Sequence, residues 1–300
     1  MTLLTTLPRR LVPLAAVATV LAIAVPSQAV ADRSDLLLAL LVLATALGIT
    51  ASELIALRRH AGVVAVLSVV PFIVLLAAAW AVGRPFDTDI RHGLLAVGAS
   101  SAEVASVGLV VLIGADATIA LGAVVGSLVL SALLGPVALG VIAGASAHGG
   151  TGHLLGRFAL VVIVPLIVGV AIRSWAAAAL AARDGEREGV AALAVAALVY
   201  AALSGIPAGG PIVSPILASL AFLAVCGVGA AGWSRLAPPA AAIPGALTIG
   251  MRDFAVAAAL ATQAFGAAAA GVPGIYGVIM LISGTAAASA RARRRGNVGA

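Results

Sequence analysis

The sequence predicts an all-α membrane protein of ten transmembrane helices arranged as a five-plus-five inverted repeat. Three observations predict it. First, 63% of the 300 residues are hydrophobic and only 9% are charged. Soluble domains run about 45–50% apolar and about 25% charged, so this chain has too little charge to cover a globular surface. Second, the mean hydropathy is +1.21, and charge clusters with Gly/Pro punctuation cut the chain into ten apolar stretches, most of them of about the 20 residues that a bilayer requires. Third, the basic residues segregate by side. Together these exclude a soluble enzyme, a nucleic-acid-binding domain and a disordered scaffold. One cysteine, Cys226, excludes a disulfide framework and a multi-thiolate metal site.

The stretches are taken in order. The first, 11–31, follows Arg9 and Arg10 and ends in Ser27, Gln28, Ala29, Val30 and Ala31, a small-residue run like a signal-peptide cleavage site. It is long for a signal and another apolar stretch follows at once, so it reads as a retained helix; cleavage would leave nine spans. The second, 35–57, is closed by Arg58 and Arg59, with Glu53 expected as their interfacial partner. The third is 61–83, with Trp80 as an interface anchor. The fourth is 92–113, and Asp116 after it is expected to cap the next helix. The fifth, 117–145, carries the small-residue pairs Gly122/Gly126 and Gly140/Gly144, suited to close helix packing. His148 and His153 flank the Gly-rich turn that follows and lack metal-ligand company, so no metal site is read there. The sixth is 157–180, with Trp175 near its end. The seventh, 189–206, is the shortest and reads as tilted or partly re-entrant. The eighth, 211–232, holds Cys226 and ends before Arg235 and Trp233, which, like Trp175, reads as an interface anchor. The ninth is 240–265 and the tenth 271–290. An Arg-rich tail, 291–300, reads as a cytoplasmic stop signal that also meets anionic lipid. No connection is long enough for a folded domain, so residues 1–300 form one transmembrane domain.

All 17 basic residues are Arg. With ten spans, twelve of them (9, 10, 58, 59, 173, 183, 187, 235, 291, 293, 294 and 295) share the side of the termini, and four (33, 84, 91 and 157) lie opposite. This bias predicts a multi-pass protein of the cell (inner) membrane with both termini inside. The remaining one, Arg252, falls within the ninth span.

Five spans per half place the halves, about 11–145 and 157–290, in opposite orientation, as in many secondary transporters. Spans four and nine then correspond, and both are irregular. Span four contains Gly98, Ala99, Ser100, Ser101, Ala102 and Glu103; span nine contains Pro244 and Gly245, then Gly250, Met251, Arg252 and Asp253. Gly loosens a helix and Ser can satisfy freed backbone groups, so Gly98, Ser100, Ser101 and Gly250 mark expected helix breaks. Breaks at matching positions of two halves point to a transport site near the midplane.

At these spans the chain resembles the bile acid:sodium symporter family, ten-helix transporters of organic anions. The resemblance rests on the stretch from Val97 and Gly98 to Ala105 and Ser106, on Ser131 to Pro136, on Gly250, Met251, Arg252 and Asp253, and on Pro165 to Gly169. It implies a small organic anion as substrate, sodium as the coupling ion, and alternating access around the crossing of spans four and nine. The departures are specific. Thr248 stands where the family has its sodium-binding Glu, Arg252 where it has Gln, and Asp253 where it has Asn. Ser101, Ala102 and Glu103 replace Pro-Gly-Gly, Val107 replaces an Asn, and Ser106 survives. Sodium wants several hard oxygens and a negative charge, so intact sodium sites are not expected and protons are the other candidate.

A charge at the bilayer centre costs at least about 2.5–3.5 kcal/mol, so Arg252 should face a cavity and find a partner. Glu103 and Asp253 are the candidates; they would neutralise it and could carry protons. Arg252 would act as a tethered cation or clamp a substrate carboxylate, or simply glue the halves together. Gln263 is expected either to line the half-helix of span nine or to be a packed polar residue hydrogen-bonded to a neighbour. The candidate binding residues are thus Glu103, Ser106, Thr248, Arg252, Asp253 and Gln263. The reading is a secondary active or facilitative organic-anion transporter. The alternatives are a cation/proton antiporter and a non-transporting sensor or scaffold. An intramembrane enzyme is disfavoured, because Cys226 has no His near it in sequence and His60, His92, His148 and His153 lie toward span ends. Partners are the substrate and the lipid bilayer, with no nucleic acid; the oligomeric state is left open.

Overall fold

The computed structural model describes residues 11–143, 150–206 and 212–298. The described chain is all-helical: α1 (Leu11–Ala24), α2 (Gln28–Ala31), α3 (Ser34–Ala46), α4 (Ala51–Ala56), α5 (Ala61–Gly83), α6 (Thr88–Ala99), α7 (Ala105–Ile113), α8 (Ala117–Ala143), α9 (Thr151–Trp175), α10 (Ala177–Ala181), α11 (Asp184–Ser204), α12 (Val213–Leu236), α13 (Pro239–Gly250), α14 (Phe254–Phe265) and α15 (Ala267–Val298), with a 3-10 turn, Leu57–His60, joining α4 to α5. Six helices are long and apolar enough to cross a membrane: Ala51–Gly83, Ala117–Ala143, Thr151–Trp175, Asp184–Ser204, Val213–Leu236 and Ala267–Arg291. Four shorter apolar helices accompany them, α1, α3, α13 and α14. The chain is therefore a multi-pass membrane protein.

Several boundaries differ from expectation, each for a local reason. The second stretch stops at Ala46. At Gly48 an added Cβ would lie 2.7 Å from Arg187 Nη1, and that guanidinium donates to the Ala44 carbonyl at 3.1 Å, satisfying a group freed at the helix end. A new helix starts at Thr50 through a capping box: Thr50 Oγ1 accepts from Glu53 N–H, and Glu53 Oε2 accepts from Thr50 N–H at 2.7 Å. Glu53 is thus a cap, with no ion pair to Arg58 or Arg59 among the described residues. The seventh stretch is not short, because α11 begins at Asp184 and runs for 21 residues. Its charged first turn hid its start: Asp184 takes a two-pronged ion pair from Arg173 at 2.9 and 3.0 Å. The Arg-rich tail continues α15 to Val298. Asp116 caps α8 as expected, accepting from Thr118 N–H at 2.8 Å. Trp233 is a packing residue rather than a free interface anchor; it donates to Ala241 O at 2.9 Å and packs closely against Gly245. Gly122 and Gly126 meet Val64 and Ser68 of α5, so that small-residue pair is a helix contact. Gly144, His148, Arg9 and Arg10 lie outside the described residues, while His153 is exposed on the first turn of α9.

Two sets of helices are distinguished by their partners, and they also pack on each other through α8 on α9 and α11 on α15. In one, α3 lies on α9 and α11, and α1 lies on α11. Polar bonds staple this group: Tyr200 O–H to Val25 O at 2.6 Å, Arg157 to Asp35 at 2.7 Å, and the Arg173–Asp184–Arg187 cluster. In the other, α5, α6, α7, α8, α12, α13, α14 and α15 pack together. Glycine sets the closest approach there. An added Cβ at Gly98 would sit 2.7 Å from Ala79 Cβ and 2.8 Å from Leu75 O. Gly98→Ala should therefore push α6 off α5 and destabilise by about 1–3 kcal/mol. Gly108→Ala, which meets nothing within 4 Å, should be neutral or slightly stabilising. Thermal unfolding of the two variants in detergent checks the contrast.

Candidate functional site

Two helix interruptions face each other inside the second group. One separates α6 from α7 at residues 100–104; the other separates α13 from α14 at 251–253. Ser100, Met251 and Asp253 are extended. Gly98 and Gly250, expected as breakpoints, are still helical. Gly98 serves helix contact, and Ser100 and Ser101 lie in the break itself.

The interrupted backbones satisfy one another. Glu103 N–H donates to Met251 O and Asp253 N–H to Ser101 O, both at 2.9 Å, making a single antiparallel bridge between Ala102 and Arg252. The remaining freed groups go to side chains. Ala102 N–H donates to Ser127 Oγ at 2.9 Å, and Ser131 Oγ donates to Ala99 O at 2.7 Å. Arg252 N–H donates to the Tyr276 hydroxyl at 3.3 Å. Asp253 caps α14, its Oδ1 accepting from Ala255 and Val256 N–H at 2.9 and 3.0 Å. This near-complete accounting lets an extended segment sit in a buried site.

The bridge decides which side chains meet. Successive residues of an extended segment point to opposite faces, and residues paired across an antiparallel bridge share a face. Ala102 and Arg252 therefore share one face, while Ser101, Glu103 and Asp253 share the other. The expected meeting of Glu103 with Arg252 is corrected on this ground: no ion pair joins them among the described residues. Instead the Glu103 carboxylate lies beside Asp253 and is approached by the N–H groups of Val104, Ala105 and Phe254. Ser101 O–H reaches Asp253 Oδ2 at 3.5 Å. Arg252, 1% exposed, turns back toward Cys226 of α12 and Tyr276 of α15. Its Nε and Nη2 have no protein partner among the described residues.

The two faces open on different surroundings. Asp253 is the one charged residue lining a narrow crevice of about 20 Å³. The walls include Leu38, Val42 and Thr45 of α3 and Val124 and Leu128 of α8. That volume holds about one water, so this conformation is closed around the Asp253 carboxylate. Arg252 lies inside the helix group behind the bridge.

The other expected site residues divide. Ser106 is fully buried on α7, three residues from Glu103, and its hydroxyl has no partner among the described residues. Thr248 is turned into its own helix, donating to Pro244 O and Gly245 O at 3.0 and 3.1 Å. Gln263 does not reach the breaks; its Nε2 donates to Asp35 Oδ1 at 2.7 Å, at the far end of α14. The residues that the resemblance would give to sodium do not suit it: the Thr248 hydroxyl is committed to its own helix and a guanidinium stands at 252. Two supporting residues carried no obvious functional signal in sequence: Ser127 shows only as a hydroxyl on an apolar helix and Tyr276 as one of two tyrosines, whereas Ser131 belongs to the stretch that carries the resemblance.

No protein-family model matches the chain. No curated protein matches it either.

Ser127→Ala and Ser131→Ala each strand a buried backbone group and should cost about 1–3 kcal/mol. Ser106→Ala removes a hydroxyl with no protein partner and should be nearly neutral. Denaturation midpoints of the three purified variants test this order.

Proposed function

We propose that the chain is a gradient-driven or facilitative transporter that works by alternating access around the paired helix breaks. The carrying observation is the bridge between Ala102 and Arg252, which joins two interrupted helices and exposes their capped N-termini to a crevice between two helix groups. Counting α6 with α7 and α13 with α14 as interrupted spans, and α1 and α3 as short ones, gives the ten spans of an inverted repeat. Interrupted helices at matching positions are the usual way that such repeats build a midplane site. The resemblance to the bile acid:sodium symporter family supports a small organic anion as substrate, and the mostly apolar crevice wall suits an anion with an apolar body.

Charge balance supports protons rather than sodium as the coupling ion. Two carboxylates and one guanidinium occupy the crossing, and a dry site of this kind is neutral when the carboxylates hold one proton between them. Arg252 is then a tethered cation behind the crossing. Glu103 and Asp253 occupy the positive ends of α7 and α14, where a substrate carboxylate would otherwise sit. Proton uptake relaxes their hold and admits the anion, giving symport. A second reading, exchange of a cation for protons, is favoured by one observation: the crevice is lined by the Asp253 carboxylate and not by Arg252.

Proteoliposomes loaded at a set pH and offered radiolabelled bile acids and smaller carboxylates test the proposal. Uptake should rise with an inward proton gradient and ignore a sodium gradient. Glu103→Gln should remove the pH-gradient dependence by tenfold or more. Uptake driven by sodium alone would overturn the coupling, and protein-dependent cation–proton exchange without anion flux would select the second reading. Absence of any flux would leave a membrane protein without transport activity.

A further inference from the structure

The Gln263–Asp35 contact joins the two helix groups. Asp35 is in the first turn of α3. Its Oδ2 is held by Arg157 of α9 through Nε and Nη2, both at 2.7 Å, within its own group. Its Oδ1 accepts from Gln263 of α14, in the other group, at 2.7 Å. Among the described residues this is the one side-chain hydrogen bond between the groups, apart from the connector to α5, where Ala51 N–H donates to Ser174 Oγ. The groups also pack through α8 on α9 and α11 on α15, but no other side-chain hydrogen bond joins them among the described residues.

Position gives the contact a consequence. Gln263 lies ten residues from Asp253 along α14, about 15 Å at helical rise. Leu38, Leu41, Val42, Thr45 and Ile49 line the crevice from one turn beyond Asp35 onward. The Gln263–Asp35 bond thus lies just beyond the Leu38 end of the crevice that Asp253 lines. The closed arrangement is also incomplete: Gln263 is 7% exposed, and its Oε1 has no partner among the described residues. A buried orphan acceptor opposes closure, and a charge-assisted bond on the same amide favours it. Such an opposed pair suits a contact that breaks and re-forms.

We infer that Gln263 and Asp35 are gating residues: their hydrogen bond latches the α14 half-helix to the α3/α9 pair and closes one mouth of the site, with Arg157 as the positioning residue that orients Asp35. The inference rests on the alternating-access reading, but it concerns access to the crevice and needs no substrate to test.

The experiment uses a Cys226→Ala background and a reporter cysteine at Leu38, one turn inside the latch. A membrane-impermeant maleimide is added to sealed vesicles from the face that carries Arg157. Removing the amide donor with Gln263→Leu, or setting two carboxylates against each other with Gln263→Glu, should raise the labelling rate at least about tenfold, the population shift expected for loss of a hydrogen bond to a charged group. A separate arm replaces the latch by the cysteine pair Asp35→Cys and Gln263→Cys, carries no Leu38 reporter, and cross-links the pair in cells. Cross-linking should stop flux reversibly, with recovery on reduction. If the Gln263 variants are not monodisperse, the cross-link arm decides. Unchanged labelling in folded Gln263 variants, or full flux through cross-linked protein, would overturn the latch. Failure of the transport reading would look different: wild-type vesicles would show no flux, while labelling would still follow the latch.

Discussion

A hydrocarbon interior leaves no water for an unpaired N–H or C=O, so a helix can be interrupted there only where other protein groups take up what the interruption frees. The paired breaks between α6 and α7 and between α13 and α14 meet that constraint mutually. Two backbone hydrogen bonds, Glu103 to Met251 and Asp253 to Ser101, tie each break to the other. Ser127, Ser131, Tyr276 and the Asp253 cap take most of what remains. Neither break is viable alone. The location of the polar site follows from this dependence.

The same pairing separates charge. An antiparallel bridge one residue long sends Arg252 to one side and the Glu103–Asp253 pair to the other. Side chains adjacent in sequence therefore serve different surroundings: the carboxylates beside the crevice, the guanidinium among Cys226, Tyr276 and the packed helices behind it. A chain with these residues in an unbroken helix would place Arg252 and Asp253 about 100° apart on one cylinder. The unwinding gives the site two chemically distinct faces.

Much of the architecture was legible because hydropathy reports the length of a membrane helix directly, and because Ser100, Ser101, Glu103, Arg252 and Asp253 are conspicuous in apolar runs. The interruptions fell within two residues of Gly98 and Gly250. What stayed hidden depended on partners far away in sequence. Arg187 ends α3 by bonding a carbonyl 143 residues away. Gln263 finds Asp35 across 228 residues. The assignment of Glu103 to Arg252 failed because spacing along two helices does not reveal the register of a bridge between them, and a shift of one residue exchanges the faces.

The register of that bridge is the central claim, and site-directed disulfide formation tests it most directly. Ala102 and Arg252 form a non-hydrogen-bonded pair, whose Cα atoms lie about 4.5 Å apart, within the range that a disulfide spans. In a Cys226→Ala background, cysteines at Ala102 and Arg252 should cross-link rapidly under mild oxidation, and cysteines at Glu103 and Arg252 should not. Preferential cross-linking of the second pair would contradict the account. So would no reaction of the first pair in folded protein.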